Sequence, residues 1–224
     1  MASPLDICNL ALAHLGAEAN LNSIDPPEGS VEAELCARFY PMARDSLLEA
    51  HPWNFATRRA LLAQLAGWSF AQWEYAYALP GDCLKVLSVL SSEATDDYQA
   101  SLTGAVYPEW TAGGLALPTV APQEFAVETD EDGRVILLTH QADALVRYIA
   151  LIADTTRFSP IFVMTLSWHL AGMLAGPVLK GSEGAAQAQK CAQMMQFYLN
   201  QAVSSDMSQR NTQLEVSVGW MSGR

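Results

Sequence analysis

The sequence predicts an α+β fold, with helices from both ends of the chain in one bundle and a β-rich subdomain between them. Two observations lead there. Apolar residues recur every three or four positions from Leu5 to Leu47, and again from Ser159 to Asp206. Between Trp53 and Ile152 the period falls to two. A 3.6-residue repeat marks an amphipathic helix and alternation marks a half-buried strand. Helix–strand–helix order lets the ends pack together while the middle projects. The organisation expected is N-terminal bundle helices over 1–52 and a β-rich subdomain over 53–152 with a long loop at 91–124. C-terminal bundle helices follow over 153–209, then a docking arm over 210–224.

The first helix is announced by Ser3, Pro4 and Asp6, an N-cap, an N1 proline and an acid in the first turn. Leu5, Cys8, Leu12 and Leu15 share one face, and Gly16 stops the helix. Asn20 to Gly29 is rich in turn formers, with a break at Asp25-Pro26-Pro27. Ser30 caps a second helix running to about Ala50, with Val31, Leu35, Phe39, Ala43 and Leu47 expected on its inner face. Pro41 removes a backbone hydrogen bond, which predicts a kink or break near Ala37.

In the middle, Trp53 and Phe55 alternate with polar neighbours, as do Trp73, Tyr75 and Tyr77. Cys83 to Leu90 and Ala144 to Ile152 read as further strands. Phe125–Thr129 and Arg134–Thr139 flank Asp130-Glu131-Asp132-Gly133, a hairpin with an acidic, solvated tip. Residues 56–66 fit strand or helix, and periodicity does not decide between them. Helix returns at Ser159-Pro160 and runs to Gly176-Pro177; Ser182 then caps a long helix to about Asp206. Its apolar seam is Ala188, Cys191, Met195, Tyr198 and Ala202.

Composition bounds the function. Only 16% of residues are charged and half are apolar, against about a quarter charged in an ordinary soluble domain. A chain so poor in charge covers part of its surface with another protein. The net charge is −12, and the densest basic pair is Arg58-Arg59. Phosphate binding needs clustered cations, so sequence-reading nucleic-acid binders are disfavoured. Cys8, Cys36, Cys83 and Cys191 are scattered, without the short spacing of zinc ligands, and read as free buried thiols. The opening Met-Ala-Ser-Pro-Leu-Asp lacks the basic and apolar regions of a signal peptide, and none is expected. Ile161 to Leu179 is free of formal charge and contains Gly172-x-x-x-Gly176. A membrane helix and a fully buried helix share those features, and Thr165, Ser167, Trp168 and His169 favour the buried one.

Candidate chemistry is thin. Gly67-Trp68-Ser69-Phe70-Ala71 has the outline of a nucleophile elbow, but strand rather than helix follows Ser69. Gly176 to Ser182 outlines a phosphate loop without the lysine that meets the phosphates. Asp130-x-Asp132-Gly133 lacks the later ligands of a calcium loop. His14, His51, His140 and His169 form no short ligand pair, and acids such as Glu32/Glu34 and Asp96/Asp97 sit in solvent-like contexts. No catalytic, cofactor or metal site is expected. Interaction surfaces are the better candidates. Gln187, Gln189, Gln193, Gln196 and Gln201 lie opposite the last helix's seam, where Glu and Lys would be usual. A solvated face is the plain reading, but amides meet another protein without the desolvation cost of charges, and the low overall charge favours an interface. In the tail, Leu214, Val216, Val218 and Trp220 share one strand face. They suit an arm that adds to a sheet edge on docking, with Trp220 as anchor, or that folds back on its own subunit.

Three blocks carry a family resemblance: Asp6–Gly16 followed by Ile24-Asp25; Tyr40-x-x-Ala43-Arg44-Asp45-x-Leu47-Leu48 running into His51-Pro52-Trp53-Asn54-Phe55-Ala56; and Trp73-x-Tyr75-Ala76-Tyr77-x-Leu79-Pro80-x-Asp82-Cys83-Leu84-Lys85-Val86. The chain resembles the tail tubular protein A family, head-to-tail adaptors of short-tailed phages and prophages. The resemblance implies a virion protein, assembled in the host cytoplasm as a dodecameric ring beneath the portal protein. Such a ring carries the tail nozzle and often tail fibres, and DNA passes through its lumen without specific binding. It transfers no catalytic residues and implies no cofactor and no membrane. The net acidity would keep DNA phosphates from sticking to the channel. The rival readings are a virion-borne peptidoglycan hydrolase and a protein attached to a membrane through 161–179.

Overall fold

The computed structural model describes residues 2–17, 20–68, 72–91 and 123–209. The fold is α+β, with two compact units. One, residues 2–57 and 149–209, holds the helices; the other, within 58–148, holds most of the strands. The division falls a few residues inside the limits of 53 and 152 read from the sequence, because the Trp53–Ala56 turn belongs with the helices.

In the helical unit, α1 (Pro4–His14) opens with a complete capping box. The Ser3 hydroxyl accepts from the Asp6 N–H, and the Asp6 carboxylate accepts from the Ser3 N–H at 2.8 Å. Those bonds hold the Asp6 carboxyl below its ordinary value. Gly16, at φ +74°, takes the left-handed turn after the helix.

The second helix, α2 (Val31–Ala50), is capped by Ser30 and runs unbroken through Pro41, so of the kink or break expected near Ala37 the break is excluded. The lost hydrogen bond is offset by buried residues on either side of it, Cys36, Tyr40, Ala43 and Leu47. The buried face also differs from expectation. It consists of Ala33, Cys36, Tyr40, Ala43, Leu47 and Leu48, whereas Val31 is 68% exposed and Leu35 and Phe39 are half-buried. Strict four-residue steps advance about 40° each on a 3.6-residue helix, so the row starts outside the core at Val31 and winds into it only at Ala43 and Leu47.

At the centre lies α3 (Pro160–Leu179), against which α1, α2 and α4 (Gly181–Met207) all pack. Ser159 caps it, and Phe162, Leu166, Leu170, Ala171, Leu174 and Ala175 are fully buried. Full burial of each large side chain contributes about 1.5–3 kcal/mol. Two buried hydroxyls bond within the helix: Thr165 Oγ1 donates to the Ile161 carbonyl at 2.9 Å and Ser167 Oγ to the Met164 carbonyl at 2.8 Å. By length and composition α3 is long and apolar enough to cross a membrane. Three helices pack against it, and 44% of its most apolar stretch is buried within this chain.

Lys180 and Gly181, both at positive φ, reverse the chain between α3 and α4 at once. The long helix therefore starts ahead of Ser182, which was expected to cap it; Lys180 occupies the cap position and makes no side-chain cap bond. The small-residue row of α3 serves this reversal. A Cβ added at Gly184 would lie 2.8 Å from the Ala175 carbonyl oxygen and 3.4 Å from the Gly176 Cα.

In the strand unit, β1 (Thr57–Leu61), β7 (Leu145–Ala150) and β4 (Cys83–Leu90) form a three-stranded sheet in the order β1-β7-β4. A four-stranded sheet has the order β2-β3-β6-β5, with β2 Ala63–Gln64, β3 Tyr75–Ala78, β5 Phe125–Thr129 and β6 Val135–Thr139. The open segment 56–66 is thus largely strand. The β5–β6 hairpin pairs antiparallel from Phe125↔Thr139 to Thr129↔Val135. One face of this sheet buries Ala76, Ile136 and Leu138 against Leu65, Trp68, Trp73 and Ala126. At the hairpin tip Glu131, Asp132 and Gly133 are exposed, as expected, while Asp130 is buried. Desolvation opposes its charge, but the Arg134 backbone N–H (2.7 Å) and Nε–H (2.9 Å) hold its pKa below the ordinary value. Trp53 and Phe55 are not strand residues; the N–H groups of Ala56 and Thr57 both donate to the Trp53 carbonyl in a turn.

Replacing Gly184 with alanine adds a methyl against the Ala175 backbone. Overpacking of about 1–3 kcal/mol outweighs the roughly 1 kcal/mol of improved helix propensity. The expected outcome is a lower melting temperature by calorimetry, whereas alanine at the open Gly176 position raises or preserves it.

Candidate functional site

The interface residues expected from the sequence divide into two groups. Leu214, Val216, Val218 and Trp220 lie outside the described residues, as does Ser69. Gln189, Gln193 and Gln196 lie on α4 and are exposed.

The α4 face is built by the position of its neighbours. Gly184, Cys191, Ala202 and Asp206 turn towards the bundle and are buried. At 100° per residue, Gln189, Gln193, Gln196, Phe197, Asn200, Ser204 and Met207 fall on the opposite side. Phe197 is 54% exposed and Met207 59%. This outer stripe carries no formal charge; the exposed charges of α4, Glu183 and Lys190, sit at its flank. Gln196 Nε2 donates to Asn200 Oδ1 at 3.0 Å, so part of the amide row is already ordered along the helix. Gln187 does not belong to it. Its Nε2 donates to the His14 carbonyl at 2.9 Å, satisfying the end of α1. Gln187 stands three residues after Gly184 and four before Cys191, both buried, which places it beside the seam.

The far end of α4 is held by an arrangement the sequence analysis missed. Asp206 is buried in the last turn, and its carboxylate accepts from the Asn54 backbone N–H at 3.0 and 3.2 Å. His51 Nε2 lies 3.3 Å from the same carboxylate. Asn54 Nδ2 returns a bond to the Asp206 carbonyl at 2.7 Å. Around this staple Trp53 and Phe55 pack edge-on against Phe162, each at 5.0 Å between centroids, and Trp53 Nε1 donates to the Leu47 carbonyl at 2.9 Å. The turn His51–Ala56 thus ties α2, α3 and α4 together. An available signal was an acid in the final turn, where the helix dipole disfavours one without a dedicated partner. A cavity of about 240 Å³ opens beside Asp206, lined also by Phe55, Arg157, Ser159 and Gln209. Its one buried carboxylate is committed to Asn54 and His51.

The remaining candidates are structural where they are described. His14 stacks on Trp168 at 3.6 Å and bonds the Ser167 hydroxyl at 3.1 Å. His169 bonds the Ser46 hydroxyl at 3.0 Å, joining α3 to α2. Desolvation lowers the pKa of both imidazoles. His140 stays half-exposed beside Trp73 and 3.9 Å from Glu74. All four cysteines are free thiols. Cys8 and Cys36 share a hydrogen bond that raises the first and lowers the second, and burial pushes Cys83 up to about 11.

The chain matches no protein-family model, and no curated protein matches it.

Two outcomes follow. Asp206→Ala leaves the Asn54 N–H without its acceptor and should cost about 1–3 kcal/mol in urea unfolding, with Asp206→Asn intermediate. The two desolvated histidines bind protons less readily when folded than at their unfolded value of 6.5. Their contribution is complete above that pH and is lost as pH falls through the folded values, because the unfolded chain then binds more protons. The urea midpoint should drop between about pH 7.5 and 5.5, and His14→Gln with His169→Gln should narrow that drop.

Proposed function

We propose that this chain is a structural subunit of a phage head-to-tail adaptor of the tail tubular protein A type, acting by assembly and not by catalysis. The observation that carries this reading is the neutral outer stripe of α4 on a chain of net charge −12. Copies of so acidic a protein repel one another everywhere except where charge is absent. A 27-residue helix whose outward side presents amides, Phe197 and Met207 is such a place. The sequence resemblance supplies the identity of the assembly: a ring between portal and tail nozzle, with DNA passing through the lumen. The His51–Ala56 block supports it by its role, since it organises the helical unit and carries no reactive constellation. In this reading the arm at 210–224 docks on the portal or on a neighbouring subunit.

The test is direct. Purified protein incubated with portal rings should give complexes that negative-stain images resolve as a second ring of multiple copies on the portal's tail side. Binding of single copies without ring closure, or peptidoglycan cleavage by the purified chain, would refute the reading.

A further inference from the structure

α1 and α2 carry one cysteine each, and the two meet. Cys8 and Cys36 are both fully buried, and α1 packs on α2. Each belongs to the buried face of its helix, with Ile7, Ala11 and Leu12 on α1 and with Ala33, Tyr40 and Ala43 on α2. The Cys8 thiol donates a hydrogen bond to the Cys36 sulfur, so the two sulfurs face each other where the helices touch. The intervening chain is already folded back near its start, since Asn9 bonds both the N–H and the carbonyl of Leu21, at 2.8 and 3.1 Å.

We propose that Cys8 and Cys36 form a redox lock: outside a reducing compartment they join as a disulfide that fastens α1 to α2. The timing rests on the virion reading, in which a chain assembled in the host cytoplasm, where thiols stay reduced, meets an oxidising medium after release. The bond itself does not depend on that reading. The oxidant is a small-molecule disulfide. The Cys36 thiolate attacks one of its sulfurs and expels a thiolate; Cys8 then loses its proton and displaces the second thiolate from the Cys36 sulfur. Two electrons pass to the oxidant, which leaves with the two protons as a pair of thiols. The hydrogen bond sets this order, because it holds the Cys36 thiol below its ordinary pKa and the Cys8 thiol above it. Burial keeps the oxidant out until α1 lifts, so the reaction is slow. Once closed, the bond shuts the route by which α1 lifts, and it also constrains the unfolded chain, which the hydrogen bonds of Asn9 do not.

The full chain is held overnight with oxidised glutathione, alkylated in denaturant and mapped by mass spectrometry. The expected product is a Cys8–Cys36 linked peptide, with Cys83 and Cys191 alkylated. The oxidised chain should melt about 10 °C above the reduced one. Cys8→Ala and Cys36→Ala, each checked for folding by circular dichroism, should show no shift on oxidation. Alkylation of all four cysteines after oxidation, glutathione retained on Cys36, or a link in any other pairing or between chains would overturn the proposal. So would a bond that forms without raising the melting temperature. Any of these failures leaves the ring reading standing. A chain that forms the bond yet never assembles on portal rings keeps the lock and loses the timing given to it here.

Discussion

Burial of α3 is the constraint on which the helical unit depends. A helix with no formal charge from Ile161 to Leu179 must be surrounded, and in this chain α1, α2 and α4 each take a share of its surface. That requirement fixes much else. α4 must reverse immediately through Lys180 and Gly181, and Gly184 must be bare for its backbone to approach Ala175. The aromatic turn at Trp53–Phe55 must close over Phe162, which is where the capped end of α4 is fastened.

Much of the fold was legible because its signals are local. Ser3, Ser30 and Ser159 each sit one residue before a helix and bond its first turn, as their side chains predict. The hairpin at 125–139 follows from alternation around a tight acidic turn. What was misread depends on tertiary context. Trp53 and Phe55 alternate as strand residues do, yet a turn presents them to the bundle. The row Val31-Leu35-Phe39 looked like a core face because it is apolar, while the core uses Ala33, Cys36 and Tyr40. Nothing local distinguishes two apolar rows on one helix when only one is turned into the described core.

The candidate site was legible by composition and illegible in detail. Gln189, Gln193 and Gln196 stand out because amides replace the charges expected on an exposed helix, and all three are exposed. Gln187 shares the composition but caps α1 through the His14 carbonyl. Asp206 was read only as the end of a helix. Its role depends on Asn54, far away in sequence, and a contact at such separation leaves no periodic trace.

The misread row and the unexplained amides are two sides of one economy in charge. Only 16% of this chain is charged, and acids outnumber bases two to one. In the ring we propose, such a surface repels its copies except where neutral ground receives one. The α4 stripe is neutral through amides, which keep a free subunit hydrated because water satisfies them cheaply. The α2 row is neutral through aliphatic and aromatic side chains, broken up by Glu34, Arg38 and Glu49 so that no broad apolar patch is bare.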